Sequence, residues 1–308
     1  MQWNQIKTIF ILCFLVLDVY LLIKFIDKQE QTDLGVLEHE NTSIEQQLAS
    51  EDISLPELPT DIEEEEHYIS VSPREFSEDD LEKLGKDQSP VVVDDDRRVI
   101  STFKDPISIP VDESDEDIKR AISNDITDAD QYTYWGRNEE LNVLIFFQKK
   151  EDKPIYYNEN GIIFVFLNDD DEATFYTQTM LEETETSSEE YSLIEPIKAI
   201  ESLYNSNELQ TGDEISSIDM GFHTRIPLES GVQVFSPTWR VTVNDDNNYF
   251  VNAIEGIVYS RKELSFLDES IDDISEKVDT IKDKDVKKKV MKLLKAPLDI
   301  LEEGEQEE

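Results

Sequence analysis

Residues 238–259 read TWRVTVNDDNNYFVNAIEGIVY. Trp239, Val241 and Val243 alternate with polar residues, so a strand built here turns all three to one side. The run NDDN has the composition of a tight turn. Beyond it Tyr249 and Phe250 begin a second strand, and Glu255–Gly256 let a third return. Three short strands joined by local turns make an antiparallel meander.

Working upstream, a helix precedes this meander. Pro196 suits its first turn, and Ile197, Ile200, Leu203 and Tyr204 fall on one face. Strands are expected at 214–225 and 232–243. The same order occurs earlier in the chain. Residues 68–73 suit a strand, and SEDDLEKLG supplies a capped helix, with Ser77 as N-cap, Asp80 in the first turn, Leu81 and Leu84 inward and Gly85 as stop. PVVVDDDRRVISTF suggests a hairpin turning at residues 94–96. A second helix, capped near Ser114, buries Ile118, Ala121 and Ile122, and strands follow at 132–134, 141–148, 154–157, 162–167 and 173–179. The expected fold is α+β: two tandem helix-plus-antiparallel-meander units, at 67–183 and 184–262.

Beyond residue 262, Leu267, Ile271, Ile274, Val278 and Ile281 keep a four–three spacing, the seam of a coiled coil or of a docked amphipathic helix. A lysine-rich stretch, Pro297 and an acidic end complete this 263–308 tail. The spacing does not tell whether the apolar face meets a neighbour or its own fold.

At the other end, fifteen of the 21 positions 6–26 are Leu, Ile, Val or Phe. As a helix they span about 30 Å, the thickness of a bilayer core. Their favourable transfer outweighs the roughly 3 kcal/mol cost of one central acid, Asp18. No small-residue cleavage site follows, so the segment reads as an uncleaved single-pass anchor behind a 1–5 stub. Lys7 precedes it and Lys24 and Lys28 follow; the orientation favoured has the N-terminus cytoplasmic and the C-terminal part extracytoplasmic. Ile11, Phe14, Asp18, Leu21 and Phe25 line one helix face. A carboxylate in lipid needs a partner or a proton, so this face is expected to meet another membrane helix. Residues 27–66, rich in acid, Gln, Ser and Thr, suit an acidic stalk.

The net charge is −44. Nucleic acid is excluded as a partner by repulsion, and docking flat on anionic lipid is disfavoured. Yet 38% of residues are hydrophobic, more than a disordered acidic chain would hold. The single cysteine, Cys13, lies within the apolar segment as a small filler, so no disulfide framework exists. No reaction centre is legible. His39, His67 and His223 lie far apart, and no nucleophile elbow or glycine-rich phosphate loop occurs. The acids at 169–172 and 245–246 lack the alternation of a calcium loop and read as hairpin turns. Neither enzyme activity, nor a metal, nor a cofactor is expected.

The opening, MQWNQIKTIFILCFLVLDVYLL, resembles that of the YycI family: Trp3, Asn4, Lys7, Thr8 and a mid-helix polar residue, commonly Asn and here Asp18, occupy the family's places. IYYNENGIIFVF and the 238–259 stretch resemble the family too, and the latter is similar to the closing hairpin of PepSY-type modules, with Trp239, Val241, Val243, Tyr249, Phe250 and Gly256 in the matching places. The resemblance implies a non-enzymatic membrane protein. Its expected partners are YycH and the sensor histidine kinase YycG, also called WalK, which governs cell-wall metabolism in low-GC Gram-positive bacteria. Association through membrane helices and ectodomains would give Asp18 its company. Two alternatives stand beside it: a module binding a peptide or wall fragment, and a PepSY-like inhibitor of a secreted hydrolase.

Overall fold

The computed structural model describes residues 43–60, 62–186, 189–224, 231–259 and 263–304, together with the single positions 7, 14, 15 and 17. They fall into two compact units, residues 1–50 and 51–308. In the first, α1 (Ile44–Ser50) buries Leu48, and its first amide donors reach the Ser43 carbonyl. Positions 7, 14, 15 and 17 are helical, and the rest of the expected 6–26 span lies outside the described residues. Among the described residues, no helix is long and apolar enough to cross a membrane.

The second unit is α+β, with every strand pair antiparallel. Residues 51–66, from the segment read as a stalk, contribute to it. Ile53 is buried, Ser54 bridges Glu214, and β1 (Glu65–Glu66) pairs with the distant strand Tyr191–Ser192. Glu66 is buried beside Lys153, which also pairs with Glu63 at 2.8 Å.

Next come β2 (Ile69–Pro73), α2 (Glu78–Glu82), β3 (Gln88–Val93), β4 (Arg98–Ser108), α3 (Asp115–Ile122), β5 (Tyr132–Asn138), β6 (Val143–Lys150), β7 (Lys153–Pro154), β8 (Ile162–Leu167) and β9 (Glu172–Thr179). A seven-stranded sheet runs β3-β4-β9-β8-β6-β5, with β7 on β6. Helix α2 is shorter than its sequence suggested, a single capped turn ending at Lys83. In α3 the Ser114 hydroxyl accepts from the Asp117 amide, as an N-cap should.

Six consecutive positions of β6, and all of β8, are buried. A strand buried on both faces needs a layer on each side. On one face, Leu144, Phe146, Ile163, Val165 and Tyr176 meet Ile118 and Ile122 of α3. On the other, Ile145, Phe147, Phe164, Phe166 and Phe175 meet the C-terminal helices α5 (Glu263–Asp279) and α6 (Lys284–Gly304). Leu267, Ile271, Ile274, Val278 and Ile281 are all buried there. The four–three seam therefore belongs to a helix docked on the chain's own sheet. Polar contacts reinforce it: Asp273 pairs with the buried Arg98 at 2.7 Å, and Lys277 with Asp94 at 2.8 Å. Pro297 does not end α6 but sits inside it, buried.

The second sheet has six strands: β10 (Leu181–Thr186), β2, β13 (Gln233–Val243), β14 (Asn247–Asn252) and β15 (Val258–Tyr259) in that order, with β12 (Ile215–His223) on β13. Strand β11 is Tyr191–Ser192, and α4 (Pro196–Asn205) packs on β13 and β14 through its face of Ala199, Ile200 and Leu203. The sheets interleave along the chain. Strand β2, which precedes every strand of the seven-stranded sheet, pairs with β10 and β13. Where the sheets meet, Ile155 bridges Phe222, and the Gln148 side chain clasps the Leu181 backbone with bonds of 2.7 and 2.8 Å. Gly221 permits that approach, since a Cβ there would lie 2.3 Å from Tyr156 and 2.6 Å from the Pro154 carbonyl.

Candidate functional site

The hairpin of residues 238–259 forms β13, β14 and β15. Trp239, Val241 and Val243 are buried, and the Trp239 indole donates to the Ile194 carbonyl at 2.9 Å, fixing the segment that enters α4. Tyr249 is half-buried, its hydroxyl 3.4 Å from the Glu208 carbonyl, and burial pushes its pKa up, with Glu208 and Asp213 adding to the shift. Phe250 is buried at an aromatic junction, its ring 4.9 Å from Tyr156, 5.4 Å from Tyr157 and 5.3 Å from His223. Gly256 has φ +68°, in the left-handed region, and its amide donates to the Asn252 carbonyl at 2.8 Å. The turn is organised by Asn252. Its side-chain oxygen Oδ1 accepts from the backbone amides of Ile254 and Glu255, and its side-chain Nδ2 donates to the Tyr259 hydroxyl at 2.9 Å.

These contacts shape an open cleft of about 270 Å³ lined by Tyr68, His223, Val234, Asn252, Glu255 and Tyr259, among others. The His223 ring stacks on Phe250 at 5.3 Å and on Tyr259 at 5.2 Å. Val234 stands exposed at the edge of the cleft. Burial, then the charge of Glu255, raises the Tyr68 pKa, so this phenol stays neutral and can donate. A cleft with aromatic faces, one carboxylate and hydroxyl donors suits capture of a small side chain or sugar face by stacking and hydrogen bonding.

Sequence reasoning did not single out Tyr68, His223 or Tyr259 as a group, because the three meet only through the sheet. The one local signal was Asn252 ahead of a glycine turn. The expected hairpin turns carry their acids in left-handed backbone: Asp94, Asp95, Asp96, Asp171 and Asp245 all have positive φ. Among the described residues, no group of three or more His, Cys, Asp or Glu is placed to hold a metal. Of the expected membrane-helix contact face, Phe14 is a described, exposed helical position, whereas Ile11, Asp18, Leu21 and Phe25 lie outside the described residues.

The described residues thus form an antiparallel α+β domain that offers an open cleft beside its closing hairpin. The comparison with known families is specific. The model described as YycI protein matches residues 31–254, most of the chain, and the chain belongs to the YycI family, a regulatory family. Helices α5 and α6 lie beyond the matched residues. Among solved structures, the chain is similar to YycH from Bacillus subtilis, with a TM-score of 0.35 and 15% identity, covering 65% of this chain and 54% of that one. It is also similar to the YpeB C-terminal domain of Bacillus megaterium, with a TM-score of 0.33 and 12% identity, covering 72% and 99%. The chain thus spans about half the length of the YycH chain it matches. No curated protein matches it.

Proposed function

We propose that this chain is a single-pass, membrane-anchored extracytoplasmic regulator of a sensor histidine kinase of the YycG/WalK type, acting on cell-wall metabolism together with YycH. The family match over residues 31–254 carries the reading. The apolar stretch 6–26 with Asp18 at its centre supplies the means. A carboxyl group held in lipid lowers its free energy by finding a donor on a neighbouring span, so the acid favours a helix bundle over a lone helix. The ectodomain's state then biases the packing of that bundle, and with it the kinase.

The test is to replace residues 6–26 with an unrelated membrane helix. Membrane insertion and the ectodomain fold should survive and regulation of the kinase should be lost; regulation that persists would refute the helix-bundle reading. The cleft beside His223 supports a second, compatible reading, in which the ectodomain captures a peptide or wall fragment and passes that event to the bundle. Filling the cleft with Val234→Trp should then abolish ligand dependence while leaving basal output intact.

A further inference from the structure

Residues 282–295 hold seven lysines against two aspartates, in a chain whose net charge is −44. Two of the seven have structural work: Lys287 pairs with Asp279 at 3.0 Å, and Lys289 donates to the Phe103 carbonyl at 2.7 Å, tying α6 to the sheet. Lys284, Lys288, Lys292 and Lys295 are different. They are exposed, and at spacings of four, four and three they fall on one face of α6, turned away from the buried Val290 and Leu294. None has a carboxylate within ion-pair distance among the described residues, although acids outnumber bases 72 to 28 in the chain. Nor does the helix gain from them. Lys284 stands in the first turn, where the macrodipole disfavours a cation, and the last turn has no base.

We infer that this lysine face docks on an anionic phospholipid surface. The inference rests on the reading of residues 6–26 as an anchor. The intervening residues 27–50 reach at most roughly 80 Å, which keeps the folded unit at high effective concentration near the headgroups. That proximity favours lipid over an acidic protein as the occupant. No described residue of α6 is an exposed large apolar side chain, so the contact is with headgroups and not an insertion. The chain's overall negative charge opposes approach, but beyond about 8 Å it is screened at physiological salt, while a row of lysines laid on the surface is not. Each lysine at an anionic surface strengthens binding about fivefold.

The experiment uses the full chain reconstituted into vesicles of phosphatidylcholine alone or of an equimolar mixture with phosphatidylglycerol. Resistance to alkaline extraction reports insertion, and acylation rates of individual lysines are read by mass spectrometry, with the exposed Lys86 as reference. The four face lysines should label at least about fivefold more slowly in the mixed vesicles alone. High salt, or Lys288→Glu with Lys292→Glu in a protein of unchanged circular dichroism, should restore the rate. Equal rates in both vesicles, with the chain inserted, overturn the inference. Protection found in native membranes but not in mixed vesicles also overturns it, pointing to a protein occupant. A chain extracted by alkali refutes the anchor itself, and that assay separates the two failures.

Discussion

Asp80 shows how one side chain fixes a local fold. Its carboxylate accepts from the Ser77 amide at 3.0 Å and the Ser77 hydroxyl at 2.8 Å, and pairs with Arg74 at 3.0 Å and Lys83 at 3.1 Å. Burial pushes its pKa up, but the Ser77 hydrogen bonds, Lys83 and Arg74 together outweigh burial and hold the carboxyl well below the usual carboxylate range. The folded pKa is thus depressed, so the stabilisation is complete above the unfolded value near pH 4 and is lost as pH falls through the folded one. Asp80→Asn should cost about 1–2 kcal/mol at neutral pH, with the difference from wild type shrinking below about pH 4, as read by urea unfolding at several pH values. Two glycines make a second test. Gly256→Ala meets only backbone strain and should cost about 1 kcal/mol. Gly221→Ala meets Tyr156 and the Pro154 backbone where the sheets join, and should cost more, about 1–3 kcal/mol, with a changed near-ultraviolet signal from the displaced tyrosine.

Among the elements, the C-terminal helices matter most, because without them one face of the seven-stranded sheet is bare. A chain ending at residue 262 should lose cooperative unfolding and bind a hydrophobic dye. Ile274→Ala, at a fully buried position, should cost about 2–4 kcal/mol in urea unfolding. Asp273→Ala leaves the Arg98 guanidinium buried without its carboxylate and should cost about 3 kcal/mol by the same measurement. Much of this architecture was legible in the sequence. Alternation marked the strands, Ser77 and Ser114 marked helix starts, and Asp-rich runs marked hairpin turns. The heptad showed that a face of α5 is buried, though a periodic stripe does not say against what. The lysine-rich stretch gave no sign that one helix would run on through Pro297. The pairing of β2 with β13, and the meeting of His223 with Tyr259 and Tyr68, depend on contacts between distant residues that no local pattern encodes.

At the scale of the whole molecule, three parts follow one another along the chain: the apolar stretch 6–26 with Asp18 at its centre, a two-sheet fold within the YycI family match, and a basic helix face outside it. Under the proposed function, regulation passes through the first, in a bundle of membrane helices. The direct measurement is photocrosslinking in native membranes from a reactive residue at position 14 or 21, beside Asp18. A discrete adduct with another single-pass or kinase subunit, weakened by Asp18→Leu while insertion is unchanged, is the predicted result. A chain that crosslinks to lipid alone, whether or not Asp18 is present, would contradict it.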